Sequence, residues 1–351
     1  MLNSTTKILK YFPPEFAHSL TVNALKYFKL KYRSYDDPIL SQHLFGLDFP
    51  NPIGLAAGFD KNAEIIHSMF SLGFGFVEVG TVTPIPQKGN SKPRVFRLRE
   101  DQAIINSLGF NNKGSKKIKK NLTKFQKLSK ENKIIGVNIG KNKFSNDAVN
   151  DYLICMDELG SLASYITINI SSPNTEGLRD LQLRGNIENL IKNINKKKES
   201  LNILNKKPIL IKISPDLNDD QLRDIALISL ANNIDGLILS NTTTDRPNTM
   251  KSQNIKKNGG LSGKPLFTKS NIILKKMYSL TNGQIPLVGV GGISSGSECY
   301  EKIKSGASIT QLYTGLIYSG PLLISKIKKE LVDLIKTDGY KNISAVIGKS
   351  V

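Results

Sequence analysis

Polar residues recur at the ends of short apolar segments of this sequence. Amides, hydroxyls and glycines dominate these positions, as at Asn138, Asn169 and Asn241, and a few lysines accompany them. The segment ends carry no histidine and no pair of carboxylates, so neither a metal site nor hydrolysis by two carboxylates is expected. Many neutral hydrogen-bonding groups instead suit a flat, polar heterocycle as the ligand.

Two glycine-containing turns, Gly291-Gly292 and Thr314-Gly315, follow the last two apolar segments. Backbone N–H groups at such turns can hold a phosphate, although glycines can also simply turn the chain. Lys212 could place a cation beside a flavin, or it could close a salt bridge inside the core. A phosphate site, an amide-rich wall and a buried cation together predict one flavin mononucleotide (FMN) per chain.

The elements that position these residues follow from an alternation of strand and helix patterns. Eight segments are nearly continuous in apolar residues, as strands buried on both faces are. The segments are 52–57, 76–82, 134–140, 165–171, 208–214, 235–241, 286–291 and 309–314. Helical patterns occupy 62–72, 113–129, 147–159, 186–204, 219–231, 268–280, 296–305 and 321–337.

Eight strand–helix pairs in about 290 residues predict an α/β fold, a (β/α)8 TIM barrel whose ligand lies at the carboxyl ends of the strands. A doubly wound open sheet is the alternative. Residues 83–112 and 242–265 are predicted to be inserted loops.

Residues 1–43 have a different pattern and are predicted to form a small helical hairpin broken at Pro13-Pro14. Its second helix is expected from about Pro14 to Leu30. Mixed apolar and lysine positions suit a helix lying in a membrane interface, but also a hairpin packed on its own domain. The sequence has no uncharged apolar stretch of about 18 residues and no signal peptide.

The chain has 351 residues, two cysteines and a formal net charge of +20. Two cysteines exclude a disulfide scaffold and a cysteine-rich metal or iron–sulfur site. The charge suggests nucleic acid or anionic lipid as a partner, but lysine enrichment alongside Asn and Ile also fits a compositional bias. The length predicts a small N-terminal segment, residues 1–43, followed by one catalytic barrel, residues 44–351.

Seven motifs resemble those of the dihydroorotate dehydrogenase family. They are AAGFDK (56–61), GTVTPIPQKGNSKPRVFRLREDQAIINSLGFNN (80–112), GVNIGKNK (136–143), INISSPNTEGLR (168–179), SNTTTDR (240–246), GGLSGKPL (259–266) and GVGGI with QLYTG (289–315). Ser172 stands where the cytosolic class has Cys, and PPEFAHSLTVNAL resembles the extension of the quinone-dependent, membrane-associated class 2.

The resemblance implies roles for particular residues. Ser172 would be the catalytic base. The substrate would contact Lys61, Asn106, Ser107, Leu108, Gly109, Phe110, Asn169, Asn174, Asn241 and Thr242. FMN would contact Ala57, Gly58, Phe59, Asp60, Lys61, Thr81, Asn138, Asn169, Lys212, Ser240, Gly263, Gly292, Tyr313 and Thr314. His18, Arg97 and Tyr313 would border a quinone tunnel. Ser107-Leu108 departs from the Arg-Met pair of some members, which puts the contribution of those two side chains in doubt.

The implied activity is oxidation of (S)-dihydroorotate to orotate in de novo pyrimidine (UMP) biosynthesis, with electrons passing through FMN to a membrane quinone. The implied protein is a monomer, peripheral on the cytoplasmic side of the cell membrane, with no nucleic-acid partner. Anionic lipid would meet Lys7, Lys10, Lys26, Lys29, Lys31 and Arg33 of the hairpin.

Two rival readings are weaker. A flavin-dependent tRNA dihydrouridine synthase would need a cysteine near a strand end and a helical region after the barrel. A non-enzymatic nucleic-acid-binding protein would need Lys and Arg clustered with exposed aromatic residues.

Overall fold

Eight parallel strands close into a barrel, which confirms the predicted (β/α)8 fold and excludes the open sheet. The computed structural model describes residues 9, 11–27, 35–129, 131–201 and 207–351. The barrel strands, in their order around it, are β3 (Ile53–Leu55), β4 (Phe76–Val82), β7 (Ile134–Ile139), β8 (Tyr165–Asn169), β9 (Ile209–Ile213), β10 (Gly236–Leu239), β12 (Leu287–Val290) and β13 (Ala307–Leu312). The last strand pairs with the first, Gln311 opposite Gly54.

Helices cover the outside of the barrel, and their apolar faces pack on the strands. They are α2 (Ile66–Ser71), α3 (Ser115–Leu128), α4 (Ala148–Leu159), α5 (Arg184–Ser200), α6 (Asp219–Ala231), α7 (Phe267–Leu280), α8 (Gly296–Lys304) and α10 (Leu323–Thr337). A short helix that the sequence did not suggest, α9 (Thr314–Ser319), follows β13 directly. Helix α2 is shorter than predicted because the Asp60 carboxylate accepts the Glu64 and Ile65 N–H groups before it begins.

Large aromatic rings fill the amino-terminal half of the barrel interior because glycines on neighbouring strands leave room for them. The Phe76 ring lies against Gly54, and the Tyr165 ring lies against Gly136. A β-carbon on Gly136 would stand 2.1 Å from Tyr165 Cζ. This apolar floor leaves the carboxyl ends of the strands for polar side chains.

The two stretches expected to be loops contain strands, so that expectation was wrong. Strands β5 (Val95–Leu98), β6 (Ala103–Asn106) and β11 (Gly260–Gly263) form an antiparallel sheet. The strands are only four residues long and β6 pairs with β11 across more than 150 residues of chain, so local periodicity gives little sign of them. Their apolar faces build a second small core.

Before the barrel, helix α1 (Pro14–Tyr27) corresponds to the second helix of the predicted hairpin, whose first helix lies almost wholly outside the described residues. Strands β1 (Gln42–Leu44) and β2 (Leu47–Phe49) form a hairpin across the residue-43 boundary suggested by the sequence. Phe49 packs on Phe76, so this hairpin covers the amino-terminal end of the barrel.

Replacing Gly136 by Ala is expected to lower the free energy of unfolding by about 3 kcal/mol, because the added methyl group overlaps the Tyr165 ring. Urea denaturation measures the change. Gly185→Ala is the control, since its β-carbon on α5 meets nothing within 4 Å; it should shift stability by about 1 kcal/mol or less. Equal effects of the two substitutions would contradict the packing argument.

Candidate active site

A cavity of about 1040 Å³ lies at the carboxyl ends of the barrel strands. The strand ends form its floor, the β5–β6–β11 side contributes Val95, Ile104 and Ser262, and helix α1 forms a further wall. Every residue predicted for the site lines this cavity except Ser107 and Asn138. The barrel therefore brings together residues as far apart in the chain as Ala57 and Thr314.

Amide side chains line one side of the cavity and bond to one another. The Asn138 Oδ1 accepts from Thr81 Oγ1 at 2.6 Å and from Asn169 Nδ2 at 3.1 Å. Asn241 Nδ2 donates to Ser171 Oγ at 2.9 Å. Asn138 thus supports this wall from behind, which is why it does not itself reach the cavity surface.

Ser172 is buried at the carboxyl end of β8 and lines the cavity. Its Oγ accepts the backbone N–H of Asn174 at 3.2 Å, and Asn174 Nδ2 donates to the Asn106 carbonyl at 3.1 Å. No carboxylate or histidine of the described residues bonds to Ser172. The neighbouring Thr175 hydroxyl, which the sequence did not suggest, is buried and has no partner among the described residues.

Two lysines supply positive charge to the cavity. Lys61 Nζ donates to the Gly58 carbonyl at 2.6 Å, and burial lowers the pKa of Lys61 to about 8. Burial also lowers the pKa of Lys212, while the negative charge of Glu78 opposes that shift. Within the described chain Lys212 forms no ion pair. The structure therefore lacks, among the described residues, the core salt bridge that was the alternative role for Lys212.

Glycine turns bring backbone close to the far end of the cavity. Gly291 and Gly292 have φ angles of 115° and 78°, and a β-carbon on Gly292 would stand 2.5 Å from Phe267 Cβ. The Thr314 hydroxyl lies 2.9 Å from that of Ser262. Only glycine fits both the backbone conformation and the space at Gly292, so this turn is a cradle built of backbone.

Three aromatic rings connect helix α1 to the end of the barrel. His18 meets Phe59 edge to face at 5.2 Å between ring centroids, and Phe59 meets Tyr313 in the same way at 5.3 Å. Burial, with Lys61 nearby, lowers the pKa of His18 to about 3, so its imidazole is neutral near pH 7. Arg97 lies at the same wall and donates to the Phe12 carbonyl at 2.7 Å.

Helix α1 is held by an ion pair that sequence reasoning missed. Arg94 Nη2 lies 2.6 Å from Glu15 Oε1, and Arg94 Nη1 also donates to the carbonyls of Lys88 and Asn90. Burial alone would raise the pKa of Glu15, but the hydrogen bond and charge of Arg94 lower it. The partners are 79 residues apart, so no local pattern connects them.

Glu15→Gln should loosen helix α1, because it removes the charge that Arg94 pairs with while sparing the Arg94 bonds to loop carbonyls. Amide hydrogen exchange in residues 14–27 should rise about 30-fold, the equivalent of about 2 kcal/mol for a charged hydrogen bond. Lys92→Met is the control, since Lys92 is exposed and 3.8 Å from the same carboxylate. Unchanged exchange in Glu15→Gln would show that other contacts hold the helix.

Comparison with known proteins agrees with this geometry. The family model described as dihydroorotate dehydrogenase matches residues 39–335. The chain is 47% identical to the dihydroorotate dehydrogenase (quinone) of Parvibaculum lavamentivorans over 98% of its length and 97% of the relative's. It is 45% identical to the mitochondrial dihydroorotate dehydrogenase (quinone) of Oryza sativa, covering 95% of this chain and 76% of that one. The crystal structure of the Eimeria tenella DHODH in complex with ferulenol superposes with a TM-score of 0.92 at 40% identity, covering 96% and 95% of the two chains. This chain therefore belongs to the dihydroorotate dehydrogenase family, as its motifs predicted.

Proposed function

We propose that this protein oxidises dihydroorotate to orotate with bound FMN and passes the electrons to a membrane quinone. The observation that supports the proposal is the cavity itself, whose lining combines Ser172, Lys61 and the amide wall with His18 of helix α1. Relatives named as quinone-dependent dihydroorotate dehydrogenases match almost the whole chain, including the segment that contains this helix.

The cavity suits FMN in shape and in donor chemistry. The backbone cradle at Gly291-Gly292, with Gly263 and Thr314 beside it, would hold the phosphate on N–H groups. Thr81, Asn169 and the rest of the amide wall would hold the polar edge of the ring, with Asn138 supporting them. Bound at these residues, FMN would supply the hydride-accepting and electron-transferring chemistry of the reaction. Lys212 would place a cation next to the ring, where it stabilises negative charge.

Lys61 is proposed to bind the carboxylate of dihydroorotate. Its ammonium is charged near neutral pH even though burial has lowered its pKa to about 8. A charge-assisted hydrogen bond to the carboxylate would replace the present bond to the Gly58 carbonyl. Asn106, Asn174, Asn241 and Thr242 offer both donors and acceptors to the pyrimidine ring.

Ser172 is proposed to take the proton from C5 of the substrate. A serine hydroxyl is a weak base and needs an acceptor for its own proton. Its Oγ is held by the Asn174 N–H. No side chain of the described residues accepts the Ser172 hydroxyl proton, so a water molecule in the cavity would have to take it when the hydroxyl receives the proton from C5.

Helix α1 is proposed to meet the membrane and admit the quinone. Phe12, Phe16 and Leu20 form an exposed apolar stripe, with 39%, 54% and 44% of their surfaces accessible. Such a stripe suits a helix lying in the interface of a lipid surface. No helix of the described chain has the length and hydropathy needed to cross a bilayer. The quinone path would be bordered by His18, Arg97 and Tyr313. We also propose that the protein is a monomer on the cytoplasmic side of the cell membrane.

Ser172→Ala should leave FMN bound but slow its reduction by dihydroorotate about 10²–10⁴-fold, the usual contribution of a positioned base. Stopped-flow loss of flavin absorbance measures this rate. Ser214→Ala is the matched control, because Ser214 Oγ accepts the N–H two residues on at 3.1 Å in the same way but does not line the cavity. Near-normal reduction in Ser172→Ala would refute the assignment of the base.

Deleting residues 1–34 should abolish dihydroorotate-driven reduction of a short-chain benzoquinone while largely sparing flavin reduction by dihydroorotate. The cut spares Asp36, which accepts from Asn51 and Lys328, and it spares the buried Leu40 and Gln42 that a cut at residue 43 would remove. The full chain should reduce the quinone and neither fumarate nor NAD⁺. Turnover with fumarate or NAD⁺ alone, or equal loss of both half-reactions on deletion, would overturn the proposal.

A further inference from the structure

Glu78 is a buried carboxylate to which the proposed mechanism gives no task. It lies on β4 inside the barrel, has no accessible surface and does not line the cavity. Four groups donate to it: Gln311 Nε2 at 2.7 Å, Asn138 Nδ2 at 2.8 Å, Tyr165 OH at 3.0 Å and Thr167 Oγ1 at 3.1 Å. The two amide NH₂ groups donate to different carboxylate oxygens, Asn138 to Oε1 and Gln311 to Oε2.

The bond from Asn138 Nδ2 to Glu78 Oε1 fixes the orientation of the Asn138 amide. Its NH₂ group must face Glu78, so its Oδ1 must face Thr81 and Asn169, as the distances of 2.6 and 3.1 Å require. Asn169 then has to present its own NH₂ group to Asn138. The orientation of each amide in the series therefore follows from the hydrogen bond that Glu78 accepts from Asn138.

The same polarity continues to the residues proposed to hold the substrate. Asn169 Oδ1 is left as an acceptor, and it receives Ser171 Oγ at 3.0 Å and Asn241 Nδ2 at 3.4 Å. Asn241 Oδ1 in turn accepts the Thr242 N–H at 2.8 Å. We call the series Asn138, Asn169 and Asn241 the amide relay.

We propose that Glu78 is a positioning residue that orients the amide relay, and through it the donor and acceptor edges that the site presents to the pyrimidine ring. This inference rests on the proposed function. A pyrimidine ring of the orotate class carries alternating N–H and C=O groups, so an inverted amide would place donor against donor. Recognition of the ring therefore depends on every amide of the relay having one orientation.

The charge of Glu78 has a second consequence inside the barrel. Lys212 has no ion-pair partner among the described residues, and the only anion that raises its pKa is Glu78. The two residues are thus a separated pair of opposite charges in one low-dielectric interior. Neutralising Glu78 would leave Lys212 as an uncompensated buried cation.

Glu78→Gln tests the proposal, because glutamine has the same shape but no charge and can present either edge of its amide to Asn138. The holoenzyme is titrated with orotate, and the dissociation constant is read from the flavin absorbance per bound flavin. We expect this constant to rise about tenfold or more, since mispaired buried amides are costly. The affinity of the apoprotein for FMN, measured by flavin fluorescence, is expected to fall as well, because Thr81 and Asn169 of the same wall are proposed to hold the flavin ring. Reading orotate binding per bound flavin separates the two effects.

Thr167→Val is the matched control. It removes one of the four donors from the same pocket but keeps the carboxylate and the bond to Asn138, so orotate affinity should stay at the wild-type value. The proposal is overturned if the Glu78→Gln variant holds FMN and binds orotate as tightly as the wild type does.

If the Glu78→Gln variant does not fold, Asn138→Ala takes its place. This substitution removes the first link of the relay, and it must weaken orotate binding about tenfold. Unchanged orotate binding in Asn138→Ala would equally overturn the proposal. Failure of the proposed function would look different, since wild-type protein would then bind no FMN or no orotate.

Discussion

Closure of the barrel is the constraint from which the site follows. Strand β13 pairs with β3, and because all eight strands run parallel, their carboxyl ends form one continuous rim. Residues as far apart as Ala57 and Thr314 then face the same cavity. The aromatic floor depends on the same closure, since the Phe76 and Tyr165 rings occupy space that glycines on adjacent strands leave open. Filling the lower half with apolar rings confines polar chemistry to the upper half.

The polar half is stable because its buried groups satisfy one another. Buried amides and hydroxyls cost free energy unless they are paired, and the wall of Thr81, Asn138, Asn169 and Asn241 pairs them through bonds of 2.6 to 3.4 Å. Amides and two lysines, Lys61 and Lys212, attract an anionic substrate. The glutamates that also line the cavity are paired with basic side chains, Glu15 with Arg94 and Glu64 with Lys26 and Lys113. A site of this composition suits an anionic heterocycle held next to a second ring with little reorganisation.

Sequence reasoning recovers the parts of this structure that depend on local pattern. Continuous apolar runs identify all eight strands, and their ends give the residues that line the cavity. Pairing between distant parts of the chain is harder to predict from sequence. Strands β5, β6 and β11 are only four residues long. Glu15 and Arg94 resemble ordinary surface charges in the sequence, although they pair in the structure. Glu78 is hidden for another reason, because one acidic residue in FVEVGTV does not alter the reading of a buried strand. Its importance depends on three other strands, which bring Asn138, Thr167 and Gln311 around it.

Helix α1 completes the site from outside the barrel, and its attachment relates the two halves of the proposed reaction. On its inner side, His18 lines the cavity and contacts the Phe59 ring, which in turn contacts Tyr313. Phe12, just before the helix, and Phe16 and Leu20 on it are exposed, and Phe12 and Leu20 also line the cavity. One helix of fourteen residues thus borders both the flavin end of the cavity and the surface proposed to meet lipid. Glu15 and His18 of this helix also interact electrostatically with Lys61, so the helix borders the proposed substrate contact as well as the path proposed for the electron acceptor.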